Sequence, residues 1–139
     1  MTKGIDKQAQ VLLTKAAEDE AVVHLTAVPD GPFGFHVQQA VEKLLKALLS
    51  QLSVPYKYSH DLNYLVRLLQ TSGEVLPNTV IAFSQLDSFA VFNRYDEIPE
   101  FHILDRAAAI ETIRVLREHV VARITALSAT PLSRLRYNS

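Results

Sequence analysis

The chain has 139 residues, of which 48% are hydrophobic and 21% charged, and its 14 Lys and Arg against 15 Asp and Glu give a formal net charge of -1. That is enough chain for one domain with its own core, and it carries no global field toward DNA or an anionic membrane. There is no cysteine, which excludes a disulfide framework, a thiol nucleophile and thiolate metal ligands.

The opening Thr2, Lys3, Gly4, Ile5, Asp6, Lys7 lacks the apolar centre of a signal peptide. No apolar run approaches the roughly 18 residues of a membrane span. The expectation is a soluble cytoplasmic protein with no membrane contact. The first predicted helix runs from about Asp6 to Ala27, with Ala9, Leu12, Leu13, Ala16, Val23 and Ala27 on one side and Lys7, Lys15, Glu18 and Asp19 elsewhere. Val28, Pro29, Asp30, Gly31 and Pro32 then form a break. A second helix is expected from about Phe33 to Leu52. Its apolar positions Val37, Ala40, Val41, Leu44, Leu45, Ala47, Leu48, Leu49 and Leu52 cover roughly half the circumference, wider than one core-facing stripe needs. Such a helix is buried on two sides, against its own bundle and against a second copy of the chain.

Ser53, Val54, Pro55 and Tyr56 end that helix, and Ser59 or Asp61 caps the next, Leu62 to Thr71, which Ser72 and Gly73 stop. Pro77 suits the first turn of a fourth helix carrying Val80, Ile81, Phe83, Leu86, Phe89, Ala90 and Phe92 and ending near Asn93, Arg94 and Tyr95. An extended piece with Pro99 leads to a last helix, about Ile103 to Ala126, with Ala109, Ile110, Ile113, Leu116, Val120, Ile124 and Leu127 as its stripe. The predicted class is all-α, an up-and-down bundle of five helices forming one domain over residues 1–139, with a mobile tail from Pro131 to Ser139.

The polar remainder of the second helix is His36, Gln39, Lys43, Lys46 and Ser50, three or four residues apart and on one face. Lys43 and Lys46 would act as point charges on a phosphate, with His36 and Gln39 hydrogen-bonding to it or to a base edge. The competing reading is a solvated edge in which Glu42 pairs Lys46 at i,i+4. Arg94 and Tyr95 either bond terminal carbonyls of the fourth helix or clamp an anion and stack a base. His60 and Asp61 form either a catalytic pair or part of a helix cap. Arg106 and Arg117 fall within the apolar arc of the last helix, where they snorkel along the core edge or reach a buried carboxylate such as Asp19, or an interface partner. The histidines are scattered and the carboxylates do not cluster at ligand spacing, so neither a metal nor a cofactor is expected.

Phe35-His36-x-Gln38-Gln39-Ala40-x-Glu42-Lys43-x-x-Lys46-Ala47-Leu48-Leu49, followed by His60-Asp61-Leu62 and then Arg94-Tyr95, resembles the HEPN domain (higher eukaryotes and prokaryotes nucleotide-binding). The resemblance extends from about Lys7 to Ile124, with Ala16-Ala17-Glu18-Asp19 similar to the family's opening helix. It implies a compact helical bundle, frequently a homodimer, often encoded beside a small nucleotidyltransferase as the toxin or regulated half of the pair, with nucleotide or RNA as ligand. Some members are metal-independent RNases marked by an Arg followed, four to six residues on, by a His. Here Arg94 is followed by His102 at a longer interval and across Pro99. Arg114 and His119 have the spacing but diverge in direction on the last helix. The expectation is therefore a non-catalytic binding and interaction module, with an RNase using Arg94 and His102 as the alternative.

Overall fold

The computed structural model describes residues 2–92 and 104–131. Four helices of ten residues or more occur among them: α1 (Lys7–Val23), α2 (Asp30–Gln51), α3 (Leu62–Thr71) and the longest, which is α5 (Arg106–Ser128). A 3₁₀ turn at Phe83–Gln85 and a single turn of helix, α4 (Phe89–Phe92), lie between α3 and α5. No strand occurs among the described residues, only an isolated antiparallel pairing of Thr2 with Pro131. The all-α class holds, and the five-helix count is corrected.

The correction falls between Pro77 and Ala82. Thr79, Val80 and Ile81 are β-branched, which weakens a helix. Their polar groups also go elsewhere: the Thr79 hydroxyl donates to the Ile81 carbonyl at 2.8 Å, and the Ile81 N–H donates to Thr112 Oγ1 on α5 at 3.1 Å. A backbone whose amide is bonded to another helix cannot enter its own i to i−4 ladder.

The other boundaries are fixed by caps. Asp6, Asp61 and Asp105 each accept backbone N–H bonds at the starts of α1, α3 and α5. Ser59 does not cap α3; two residues before the cap, its Oγ accepts the N–H of the capping Asp61 at 3.0 Å. α3 ends in a pair of reversed bonds, Gly73 N to Gln70 O and Glu74 N to Leu69 O, both 3.0 Å, with Gly73 at φ +92°. α2 ends the same way, through Ser53 N to Ser50 O and Val54 N to Leu49 O, with Ser53 at φ 58°. α1 stops at Val23, short of Ala27, which is exposed. α2 begins at Asp30, with Pro32 in its first turn where no amide is required.

α2 is the hub, packing against α1, α3, α4 and α5. Its residues Val37, Ala40, Val41, Leu45, Ala47, Leu48 and Leu49 are all fully buried within the chain. The two-sided burial expected of this helix is thus real, but this chain's own helices supply both sides, leaving no surplus apolar face of α2 for a second copy. Each buried leucine contributes about 1.5–3 kcal/mol relative to exposure. α4 reaches α2 at Gly34, where the Phe89 ring occupies the space a side chain would need.

Candidate functional site

The polar face of α2 is not a bare cationic edge, because α1 and α2 each bury a carboxylate beneath it. Asp19 of α1 follows Ala9, Leu12 and Ala16 on the buried face and is only 6% exposed. Its Oδ1 lies 2.7 Å from His36 Nδ1 and its Oδ2 accepts from Lys43 Nζ. Because an ionised carboxylate only accepts, His36 Nδ1 donates to it. Seven residues apart on α2, His36 and Lys43 are held by one acid.

Glu42 organises the second half. It is 4% exposed. Its Oε1 accepts from Gln38 Nε2 at 3.1 Å and faces His60 Nδ1 at 2.8 Å, while Oε2 accepts from Lys46 Nζ at 3.0 Å. Gln38 also donates to the His60 carbonyl and accepts from Gln39 Nε2 at 2.7 Å. The Lys46 ammonium stands 5.7 Å from the Tyr56 ring centre and 5.8 Å from that of Tyr58. His60 completes the line, its Nε2 2.9 Å from the Tyr58 hydroxyl.

His36, Gln39, Lys43 and Lys46 therefore share one seam. Two lysines face two carboxylates there, so the formal charge cancels when both imidazoles are neutral. Unlike the predicted exposed Glu42–Lys46 edge pair, both acids are withdrawn from water, so each attraction is offset by desolvation and removing one partner leaves a buried charge uncompensated. Asp19 is buried as the sequence suggests, three residues after Ala16 and four before Val23 on the apolar stripe, but its partners are His36 and Lys43; no sequence signal marks Tyr58. The cap proposed for the Ser59-His60-Asp61 run is made by Asp61; His60 turns to Glu42 instead.

Arg94, Tyr95 and His102 lie outside the described residues, as do residues 132–139 of the expected mobile tail. Arg114 is held by Glu111 and Glu118 on its own helix, its guanidinium pKa pushed up by both. Its guanidinium bonds go to those two acids, and His119 Nε2 is buried with no hydrogen-bond partner. Arg106 and Arg117 do more than snorkel. Arg106 bonds the Val28 carbonyl and Asp30 and lies 4.4 Å over the Phe33 ring, and Arg117 reaches Glu20, not Asp19. No group of three His, Asp or Glu suited to a metal occurs among the described residues, and no helix there is long and apolar enough to cross a membrane.

Comparison with curated proteins and with solved structures finds no match. The family model described as HEPN domain matches residues 32–124, which takes in nearly all of α2, its seam, α3 and most of α5. With two thirds of its length matched, and with the helix that carries Phe35-His36 through Leu49 opening the matched span, the chain belongs to the HEPN domain family.

Proposed function

We propose that the chain is a nucleotide- or RNA-binding interaction module, engaging its ligand along the α2 seam. The observation that carries this reading is the convergence of His36, Gln39, Lys43 and Lys46 on one face beside two tyrosine rings, within the matched family segment. The charge balance divides the roles. Lys43 and Lys46 are already neutralised by buried acids, so the seam favours the hydrogen-bonding edge and flat face of a base over a bare phosphate. Arg94 and Tyr95, outside the described residues, are assigned to the same ligand on the sequence alone. The module acts as a homodimer with a nucleotidyltransferase-type protein, through a surface other than the apolar arc of α2.

The test is thermal melting against the common ribonucleotides and a short single-stranded RNA. A ligand at about 100 times its Kd raises stability by about 2.7 kcal/mol. Gln39→Ala, which removes a half-buried amide bonded to Gln38, weakens binding about fivefold to tenfold, equivalent to roughly 1 kcal/mol. No melting shift at millimolar nucleotide or micromolar RNA defeats the ligand half of the reading, and a strict monomer by light scattering defeats the dimer half. RNA cleavage lost in Arg94→Ala would establish the RNase alternative instead.

A further inference from the structure

The loop between α2 and α3 aligns a carboxylate, an imidazole and a hydroxyl. Glu42 Oε1 lies 2.8 Å from His60 Nδ1, and His60 Nε2 lies 2.9 Å from Tyr58 Oη. With the carboxylate ionised and the imidazole neutral, the polarity of the chain follows. A carboxylate accepts only, so Nδ1 carries the imidazole proton; Nε2 is then the acceptor and the Tyr58 hydroxyl must donate to it. Glu42 is buried and fixed by Gln38 and Lys46, while Tyr58 is 84% exposed. A phenol is a poor nucleophile while protonated, and a base in line with its O–H removes that limit. The Lys46 ammonium stands 5.8 Å from the centre of the same ring.

From this geometry we propose that Tyr58 is a base-assisted nucleophile and a site of covalent acylation, accepting an acyl group from small activated esters. Acyl transfer fits because one imidazole serves both proton movements. The Tyr58 oxygen forms a bond to the carbonyl carbon as its proton passes to His60 Nε2. The tetrahedral adduct then collapses, the bond to the leaving alkoxide breaks, and the imidazolium returns the proton to that oxygen. The products are the Tyr58 ester and an alcohol, with no change of oxidation state. His60 is the base; Glu42 is a positioning residue that holds its tautomer. The proposal does not depend on nucleotide binding, and its test contains no nucleotide.

The probe is p-nitrophenyl acetate at neutral pH, with N-acetyltyrosinamide in the same tube as the reference phenol and peptide mass mapping as the readout. Tyr58 acetylates at least about tenfold faster than the reference, within the range that positioned bases supply. His60→Gln brings Tyr58 down to the reference rate while acetylation of the lysine amines is unchanged, and Tyr58→Phe removes the label from that peptide. Glu42→Gln, nearly isosteric, slows Tyr58 by a smaller factor. Equal rates for Tyr58 and the reference phenol overturn the proposal without any variant. So does a Tyr58 rate that is unchanged in His60→Gln, with circular dichroism showing both proteins folded.

Discussion

Asp87 is strained electrostatically in a way that pH can reveal. Its Oδ1 accepts the Leu62 N–H at the start of α3, at 3.1 Å. Burial opposes its charge more than that bond supports it, and Asp61 and Glu42 add repulsion, so its pKa lies above the ordinary 3.8. The folded chain thus holds this proton more tightly than the unfolded chain, and stability falls as pH rises through the window just above 3.8. Asp87→Asn keeps an oxygen for the Leu62 amide and removes the charge. The variant should melt with the parent near pH 3 and above it at pH 7, the gain staying below about 1 kcal/mol after solvent screening. Gly34 presents a steric case of the same kind. A Cβ there would stand 2.0 Å from Cδ1 of Phe89, a ring itself only 1% exposed. Gly34→Ala offers about 1 kcal/mol of helix propensity but forces the ring out of its seat. The expected net loss is about 1–3 kcal/mol by chemical denaturation, with α4 displaced from α2.

At the scale of elements, caps and buried acids decide more than propensity does. Asp61 accepts the Asn63 N–H at 3.0 Å and the Tyr64 N–H at 3.4 Å, so Asp61→Ala should cost about 1 kcal/mol. Glu42→Ala is harsher: it strips a partner from Gln38, His60 and Lys46 together and leaves a largely buried ammonium uncompensated. A loss of about 3 kcal/mol or more is expected in urea melts, against a much smaller one for Glu42→Gln. These elements also mark how far the sequence could be read. α3 was legible to the residue because a capping Asp and a terminal Ser-Gly bracket an apolar stripe. α2 was legible from its over-wide apolar arc. The stretch after Pro77 was not, because the pairing of the Ile81 amide with Thr112 spans 31 residues and leaves no local pattern. The seam was legible as a list of α2 residues, but its charge was misread. Glu42 and its pairing with Lys46 are visible on α2 itself, but Asp19 belongs to another helix and a single-helix projection leaves it out.

Over the whole molecule, one helix mediates nearly everything. α1, α3, α4 and α5 each pack on α2, and the long polar ties reinforce the same arrangement: Arg117 to Glu20 joins α5 to α1, and Arg123 grips both Glu74 oxygens at 2.8 and 2.9 Å beyond the end of α3. The N-terminus is drawn in as well, because the buried Gln51 accepts the Asp6 N–H and donates to the Gly4 carbonyl, both at 2.8 Å. A fold wired through a single element has no obvious part to lose first. If α2 loosens, every interface loosens with it, and the ion seam opens because its lysines and Glu42 ride on that helix. Leu45, fully buried in the second half of α2, is the position that tests this. Leu45→Ala removes about 2–5 kcal/mol through lost transfer energy and a residual cavity. Since that loss falls on the shared element, the denaturant midpoint should drop while the slope of the transition stays constant, helical circular dichroism and tyrosine fluorescence falling together. A shallower slope, or fluorescence from Tyr56 and Tyr58 changing before helicity, would mean that the α2–α3 side opens independently and that the hub is two half-hubs sharing a backbone.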